Sequence, residues 1–403
     1  MSVNANHSDR AKGALGLPLL FTPMRIRGMT LPNRLMLAPM SQYSAGRDGF
    51  AGDWHLVHLG KFALGGMGIV LTEATAVDPN GRLSYGDLGL WEDAQILGMR
   101  RITNFIRDQG VLSAVQLGHT GRKAGQQRPW EGKGALSPKE WERGETPFPT
   151  VGPTDEPAEP GYPAPHALEM HEIPALVHKF ADAAARADAA GFDIVEIHAG
   201  HGYLIASFLS PVSNTRTDAY DGDRAGRMRL ALEVACAMRE KWPTRKPLFC
   251  RLSIVDGAEN GWAIDDSVAL ASALGECGVD LIDCSAGGLK NSTVLANAAR
   301  VPGYQVPLSA ETRRRSSMPT ASVGLILDAA HAEEILQKGE ADLITIGRQA
   351  LYDPFWALHA RQQLSADPSF TGWGEQAAWW LSRRAAGLAS LRMAPDGSSL
   401  HEP

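Results

Sequence analysis

The stretch Asp193-Ile-Val-Glu-Ile-His-Ala-Gly-His-Gly-Tyr203 reads as a strand that ends in a dense group of hydrogen-bond donors. Branched apolar residues alternate with acids as far as Ile197, which is typical of a short strand. The glycines that follow favour a tight turn in which the backbone lies close to a neighbour. Two imidazoles and one phenol therefore come together at the end of this strand.

Working outward from this stretch, apolar strands alternate with amphipathic helices along most of the chain. This alternation predicts a closed (β/α)8 barrel of the α/β class. A doubly wound open sheet is the alternative, but no GxGxxG follows the first strand, so the barrel ranks higher. We predict strands at 34–41, 68–74, 111–117, 193–197, 247–253, 280–284, 320–324 and 342–348, and helices at 53–63, 94–109, 173–190, 224–241, 266–277, 308–316, 329–338 and 354–364. Asp53 is the predicted cap of the first helix, and Pro354 is predicted in the first turn of the last.

Composition and charge narrow the class of protein. The 403 residues are 44% hydrophobic and 21% charged, with a formal net charge of -6. That balance is ordinary for a globular protein, and without a long basic run it argues against a nucleic-acid partner. No apolar run approaches a membrane span and no leader pattern is present, so we expect a cytoplasmic protein without a membrane partner. The cysteines are predicted to be free thiols rather than disulfides or cluster ligands: Cys236, Cys250, Cys277 and Cys284.

Three segments lie outside the regular alternation. Residues 1–16 are polar and small and predict a flexible tail. Residues 121–171, rich in Gly, Pro and Trp, follow the third strand of the 17–364 barrel, and we interpret them as an inserted lid that shapes the substrate site. Residues 365–403 form a C-terminal extension, where Trp379 and Trp380 indicate packing on the barrel or on a second subunit.

In a barrel the chemistry sits at the carboxyl ends of the strands. Gly324, Gly347 and Arg348 after the last two strands suit a phosphate, although ordinary barrel turns with a surface arginine would look the same. Arg251 inside an apolar strand, with Gln116 at another strand end, suggests a polar heterocycle at the barrel mouth, or else an internal ion pair.

The two histidines of the opening stretch leave three interpretations on spacing alone. His198 and His201 are a metal pair with Glu196 as third ligand, paired donors for a substrate oxyanion, or structural residues. No HExxH pattern supports the metal site. The residues themselves do not decide among the three.

Four motifs, in order along the chain, resemble the old yellow enzyme family of flavin-dependent ene-reductases, most of all its bacterial, thermophilic-type branch. The likeness runs from about Leu20 to Leu364 and depends on several matches at once. The motifs are Ala38-Pro-Met-Ser-Gln-Tyr-Ser44, Gln116-Leu-Gly-His-Thr-Gly-Arg-Lys-Ala124, the stretch from Glu196 to Leu204 with Phe208 to Asp218, and Ile346-Gly-Arg348.

This resemblance implies an FMN site on the barrel and a nicotinamide, NADPH or NADH, as reductant. Arg251 would lie near the flavin N1/O2 edge, where its charge stabilises the reduced cofactor. Gly324, Gly347 and Arg348 would hold the phosphate. The remaining cofactor contacts implied by the family pattern are Ala38, Pro39, Met40, Ser41, Ala74 and Gln116.

The implied reaction is a ping-pong reduction of α,β-unsaturated carbonyl compounds, with hydride passing through flavin N5. His198 and His201 would hydrogen-bond the carbonyl oxygen of this small-molecule substrate, and Tyr203 would donate the proton. Tyr43 would contact the substrate from the first loop. Under this resemblance, the interpretation of His198 and His201 as metal ligands loses its support. The resemblance also suggests a homodimer or homotetramer.

Two departures from the branch pattern lead to further expectations. Ser41 stands where the closest branch carries cysteine, which predicts an altered flavin potential. The long 121–171 segment suggests a large substrate, including an acyl thioester. The alternatives are a family member that acts on an aromatic or acyl-CoA substrate or in demethylation, a metal-dependent barrel hydrolase, and a flavin-binding protein without turnover.

Overall fold

The computed structural model describes residues 16–132, 134–289 and 301–392. Within these ranges, eight parallel strands close into a barrel, in the order in which they follow one another along the chain. The last strand pairs with the first, Ile344 opposite Leu35, and this pairing closes the ring. The strands of the barrel are β3 (Leu35–Leu37), β4 (Ile69–Ala76), β5 (Leu112–Gly118), β8 (Ile194–Ala199), β9 (Leu248–Ser253), β10 (Leu281–Ser285), β11 (Thr320–Ser322) and β12 (Leu343–Ile346).

The remaining elements surround the barrel. A hairpin of β1 (Met24–Ile26) and β2 (Met29–Leu31) precedes it, and β6 (Val151–Gly152) pairs with β7 (His166–Ala167) in the insertion. The helices are α1 (Asp53–Leu64), α2 (Ile96–Asp108), α3 (Pro138–Glu142), α4 (Ile173–Ala189), α5 (Leu204–Leu209), α6 (Arg224–Lys241), α7 (Ile264–Glu276), α8 (Val306–Ser316), α9 (Ala329–Gln337), α10 (Arg348–Tyr352), α11 (Trp356–Gln363) and α12 (Glu375–Arg392). The predicted (β/α)8 barrel is therefore confirmed. The predicted tail at 1–16 lies, apart from Gly16, outside the described residues.

Two layers of side chains fill the middle of the barrel. Ala114, Ile194, Phe249 and Leu281 belong to one buried apolar cluster, which Ile26 and Leu31 of the hairpin also join. Side chains two positions apart on a strand share a face. The residues two positions further along these strands therefore point into the same interior, nearer the carboxyl ends: Gln116, Glu196, Arg251 and Asp283. This second set, which we call the polar layer, carries the functional site.

Several local predictions were wrong for physical reasons. The first strand ends at Leu37, because Pro39 has no N–H for the ladder. Asp53 begins α1 but does not cap it, since Gly52 takes the cap position. Pro354 lies between α10 and α11 rather than in a first turn, since α10 ends at Tyr352 and α11 begins only at Trp356, with Phe355 as its cap.

The expectation of four free thiols was wrong for two of them. Cys236 on α6 and Cys277 directly after α7 form a disulfide across 41 residues of sequence. The adjacent outer helices bring the two sulfurs together, which the spacing of the cysteines gave no means to foresee. Cys250 and Cys284 are free and buried, as predicted.

Within the part of the chain that the structure describes, no helix is both long and apolar enough to cross a membrane.

Candidate active site

A cavity of about 1150 Å³ opens at the carboxyl ends of the strands. Its volume slightly exceeds the usual range for ligand pockets, roughly 300–1,000 Å³, so it has room for a flat cofactor and a substrate together. Six of the predicted site residues line it: His201, Tyr203, Arg251, Gly324, Gly347 and Arg348. The other predicted residues do not line this cavity, and two of them, Ala38 and Met40, line a separate, much smaller one.

The polar layer reaches the cavity through Arg251, which lines it. Strand register places Arg251 beside both His198 and Asp283, and Gln116 beside Glu196. Arg251 Nε lies 3.4 Å from Asp283 Oδ2, an ion pair in which both side chains are almost completely buried. Yet Arg251 Nε makes no hydrogen bond of good geometry with any described residue. The internal ion pair weighed from sequence is present, and it leaves the guanidinium with unused donor capacity.

Two buried carboxyl groups share this single guanidinium. Burial and the neighbouring Asp283 carboxylate raise the pKa of Glu196 to about 8, against the opposing attraction of Arg251 and a hydrogen bond from Gln116. Burial also raises the pKa of Asp283, while Arg251 lowers it. The Gln116 amide donates to Glu196 Oε1 at 2.8 Å. Glu196 is therefore hydrogen-bonded to Gln116 and not to either histidine.

His198 and His201 form a hydrogen-bonded chain that fixes their tautomers. The Gly200 N–H donates to His198 Nδ1 at 3.2 Å, so the proton of a neutral His198 ring resides on Nε2. That Nε2 lies 3.3 Å from His201 Nδ1, which leaves the His201 proton on Nε2, 2.8 Å from Ser285 Oγ. The chain runs in one direction, toward Ser285.

Both histidines are neutral at physiological pH. Burial, followed by the charges of Arg251 and Lys123, lowers the pKa of His201 to about 3. Burial and the neighbouring His201 ring, with the same two cations, hold the pKa of His198 well below its usual value. Each ring therefore offers one N–H, and only His201 lines the cavity.

Tyr203 and Tyr43 both keep their protons. Burial raises the pKa of Tyr203 far above 10, with smaller contributions from Tyr43 and Asp87. Its ring lies 4.8 Å from the His198 ring, centroid to centroid. Burial raises the pKa of Tyr43 to about 12, although a hydrogen bond with Ser41 opposes this rise. Tyr43 has a left-handed backbone, with φ 55°, and its ring touches Trp130 of the insertion.

The first loop is held against both neighbouring strands. The Ala38 N–H donates to the Ile346 carbonyl at 2.9 Å. A Cβ on Gly347 would lie 3.5 Å from Ala38 Cβ and 3.6 Å from Met40 Sδ, so these strand ends are in contact. The register of β4 shifts at Glu73, the residue before Ala74. The Glu73 carboxylate accepts a hydrogen bond from the Gln42 N–H at 2.6 Å. This bulge places Ala74 opposite Gln116.

The turn after β11 requires glycine. Gly324 has φ +127°, and a Cβ there would meet Gln305 Nε2 at 2.9 Å. Gln305 and Tyr304 line the same part of the cavity, beside Gly347 and the exposed Arg348. Glycine is thus required at 324 by the positive φ and by the close packing of Gln305, and the residue itself lines the cavity.

Sequence reasoning missed three residues that support the site. Ser285 follows Asp283 by two positions on an otherwise apolar strand, which was a signal of an interior polar face. Glu73 was hidden by the irregular register of its strand. Lys123 donates to the His201 carbonyl at 2.8 Å and to the Gly288 carbonyl, and nothing in its local sequence indicated this.

Comparison with known proteins adds an independent line of information. The NADH:flavin oxidoreductase / NADH oxidase family matches residues 19–367. The chain belongs to this family. It is 41% identical over 349 residues to an NADPH dehydrogenase of Bacillus subtilis, which covers 86% of this chain and 96% of the relative. An NADPH dehydrogenase of Geobacillus thermodenitrificans is 39% identical over 347 residues, with 86% and 94% covered.

Solved structures agree with the family assignment. A morphinone reductase in complex with tetrahydroNAD superimposes with a TM-score of 0.68 at 26% identity, over 86% of this chain and 91% of the other. The resemblance to old yellow enzymes is thereby confirmed, and the protein is an FMN-dependent oxidoreductase of NADH or NADPH.

The residues present fit such a cofactor. The buried Arg251 guanidinium, whose ion pair with Asp283 leaves donor capacity unused, lines the cavity together with Gly324 and Gly347, which carry no side chain. The guanidinium suits a planar ring system with an anionic edge, and the glycine backbone suits a phosphate.

Proposed function

We propose that this protein uses NADPH to reduce the activated C=C bond of α,β-unsaturated carbonyl compounds. The observation that carries the proposal is the neutral, directed His198–His201 chain beside the proton-bearing Tyr203, because its His201 end lines the same cavity as Arg251. The names of the Bacillus and Geobacillus relatives favour NADPH over NADH. Bound FMN would supply the transfer of hydride from the nicotinamide to the substrate.

The cofactor would be held between the polar layer and the loops after β11 and β12. Arg251 directs positive charge toward the edge on which negative charge appears during reduction, which favours the reduced state. Gly324, Gly347 and Arg348 would bind the phosphate. Further contacts would come from the first loop and the strand ends beside it: Ala38, Pro39, Met40, Ser41, Ala74 and Gln116.

The histidines would polarise the substrate carbonyl. Each neutral ring donates one N–H, and a carbonyl oxygen that accepts both replaces the bond between the rings and the bond to Ser285. His198 is buried and His201 is half-buried, so these donors are oriented by the protein before the substrate arrives. Such donors act most strongly on the charge that develops on oxygen as the β-carbon is reduced.

Tyr203 would then protonate the α-carbon. Its raised pKa keeps the hydroxyl protonated at any working pH, so the proton is present when it is needed. Tyr43, whose charge state is coupled to that of Tyr203, would contact the substrate from the opposite loop.

The insertion between β5 and α4 supports a role in substrate selection. Gln126, Glu159 and Tyr162 line the cavity from this segment. Because the insertion adds to the lining of the cavity, the cavity can hold a substrate larger than a small enone. An aromatic or acyl-CoA thioester substrate is therefore the second candidate. Turnover of matched enones and enoyl thioesters under NADPH separates the two, since only the second candidate requires faster turnover of thioesters.

The C-terminal helix α12 supports a subunit contact. Trp373 stacks on Phe355 of the barrel, whereas Trp379 and Trp380 are 50% and 67% exposed on the helix. We propose that these two tryptophans pack against a second copy of the chain.

Truncation after Gly374 tests this contact. It removes α12 but keeps Trp373 on the barrel, so the truncated chain should fold, bind FMN and show fewer subunits per particle by light scattering. The full-length double variant Trp379→Ala/Trp380→Ala should show the same reduction in subunit number. A subunit number equal to that of the wild type in both would contradict the contact.

The double variant His198→Ala/His201→Ala tests the role of the pair. Since each such donor contributes about 10²–10³ in rate, stopped-flow reoxidation by an enone should slow at least a hundredfold. Bound FMN, measured by its visible absorbance, should stay stoichiometric. An unchanged reoxidation rate would show that the roles are assigned wrongly.

Tyr203→Phe tests the proton donor. Loss of a general acid should slow reoxidation by an enone about 10²–10⁴-fold, while reduction of the enzyme by NADPH stays near normal. Tyr162→Phe is the matched control, because it removes a hydroxyl from the same cavity without touching the histidines. Equal effects of the two substitutions would argue against a special role for Tyr203.

A further inference from the structure

The polar layer has an excess of acid. Three adjacent strands contribute Glu196, Arg251 and Asp283, so one guanidinium faces two carboxyl groups inside the barrel. All three side chains are buried, and Asp283 is completely so. Two unscreened carboxylates beside one cation leave a net buried negative charge, which is costly. One carboxyl group therefore retains a proton.

Glu196 is the better candidate for that proton. Asp283 takes the ion pair with Arg251 at 3.4 Å, whereas Glu196 Oε1 receives only the neutral Gln116 amide. Glu196 Oε2 and both carboxyl oxygens of Asp283 have no hydrogen-bond partner among the described residues, so the ion pair of Asp283 with Arg251 is what distinguishes the two acids. Glu196, which lacks that ion pair, is the acid on which a proton costs least.

The charged and titratable groups that act on Glu196 lie on β9 and β10, and an uncharged hydrogen-bond donor lies on β5. Arg251 on β9 favours its ionised form and Asp283 on β10 opposes it. The Cys250 thiol on β9 also interacts with it, and burial keeps that thiol protonated. Gln116 on β5 contributes no charge. The balance places the pKa of Glu196 at about 8, close to physiological pH.

We propose that Glu196 is a positioning residue and that, where it is ionised before reduction, it takes up a proton from solvent when the cofactor beside Arg251 is reduced. This inference rests on the proposed placement of FMN over Arg251. A hydride delivers two electrons and one proton, which leaves one additional negative charge beside the guanidinium. That charge competes with Glu196 for Arg251, so a Glu196 carboxylate binds a proton and becomes the neutral acid. No further oxidant or reductant takes part.

The consequence is a pH dependence of the reduction equilibrium. Well below pH 8 Glu196 is protonated in both redox states, and reduction consumes one proton per two electrons. Above about pH 8 Glu196 is ionised before reduction and protonated afterwards, so reduction consumes a second proton. The equilibrium constant for reduction then falls by an additional factor of ten per pH unit, or about 30 mV for a two-electron couple.

An anaerobic redox titration of the FMN-loaded enzyme across about pH 6.5–9.5 tests the proposal. The wild-type midpoint potential should fall more steeply above about pH 8, and Glu196→Gln should abolish the steeper part while preserving the bond to Gln116. Asp283→Asn should move the break to lower pH, because Asp283 raises the pKa of Glu196. No break in the wild type, an unchanged break in Glu196→Gln, or a break at higher pH in Asp283→Asn would overturn the proposal.

Infrared difference spectroscopy gives a second readout. At about pH 9, reduction of the wild type should add the carbonyl band of a protonated carboxyl group, and Glu196→Gln should lack that band. Its presence in the variant would contradict the assignment. If the purified protein does not bind FMN, the proposed function fails; if it binds FMN and titrates without a break, only this inference fails.

Discussion

A guanidinium buried inside a barrel must be neutralised, and the way this chain neutralises Arg251 determines much of its site. Asp283 on the adjacent strand pairs with it, while Glu196 and Gln116 complete the layer from the other side. The ion pair occupies only part of Arg251, since its Nε lacks a well-directed acceptor. The charge of Arg251 is therefore neutralised without a ligand, and the guanidinium is still able to bind one. A group with an anionic or polarisable edge is what this arrangement accepts.

The histidine chain depends on the same strands. His198 lies in register with Arg251, and the charge of Arg251 helps to keep both histidines neutral. Ser285, two positions beyond Asp283, receives the end of the chain. One interior face of β10 thus serves both halves of the site, the charge beneath the cofactor and the orientation of the donors. A change at Arg251 would therefore affect the histidines as well.

The sequence alone predicted the barrel, because strand–helix alternation at this length has few other solutions. It also placed His198, His201 and Tyr203 together, since three donors within six residues after a strand cannot separate far. The sequence did not predict which residues these side chains contact. Ser285 meets His201 only through folding of non-adjacent strands, and Cys236 meets Cys277 only because two outer helices pack side by side. Glu73 depends on a local shift of register that no pattern of apolar residues reveals.

The most direct measurement is a crystal structure of the FMN-loaded protein soaked with an enone. Our account predicts the carbonyl oxygen within about 3 Å of a ring nitrogen of both His198 and His201, and Arg251 at hydrogen-bond distance from the N1 edge of the flavin. It further predicts that the bond between the two histidines is lost in this complex. A carbonyl oxygen bound elsewhere in the cavity, with the histidine chain to Ser285 intact, would contradict it.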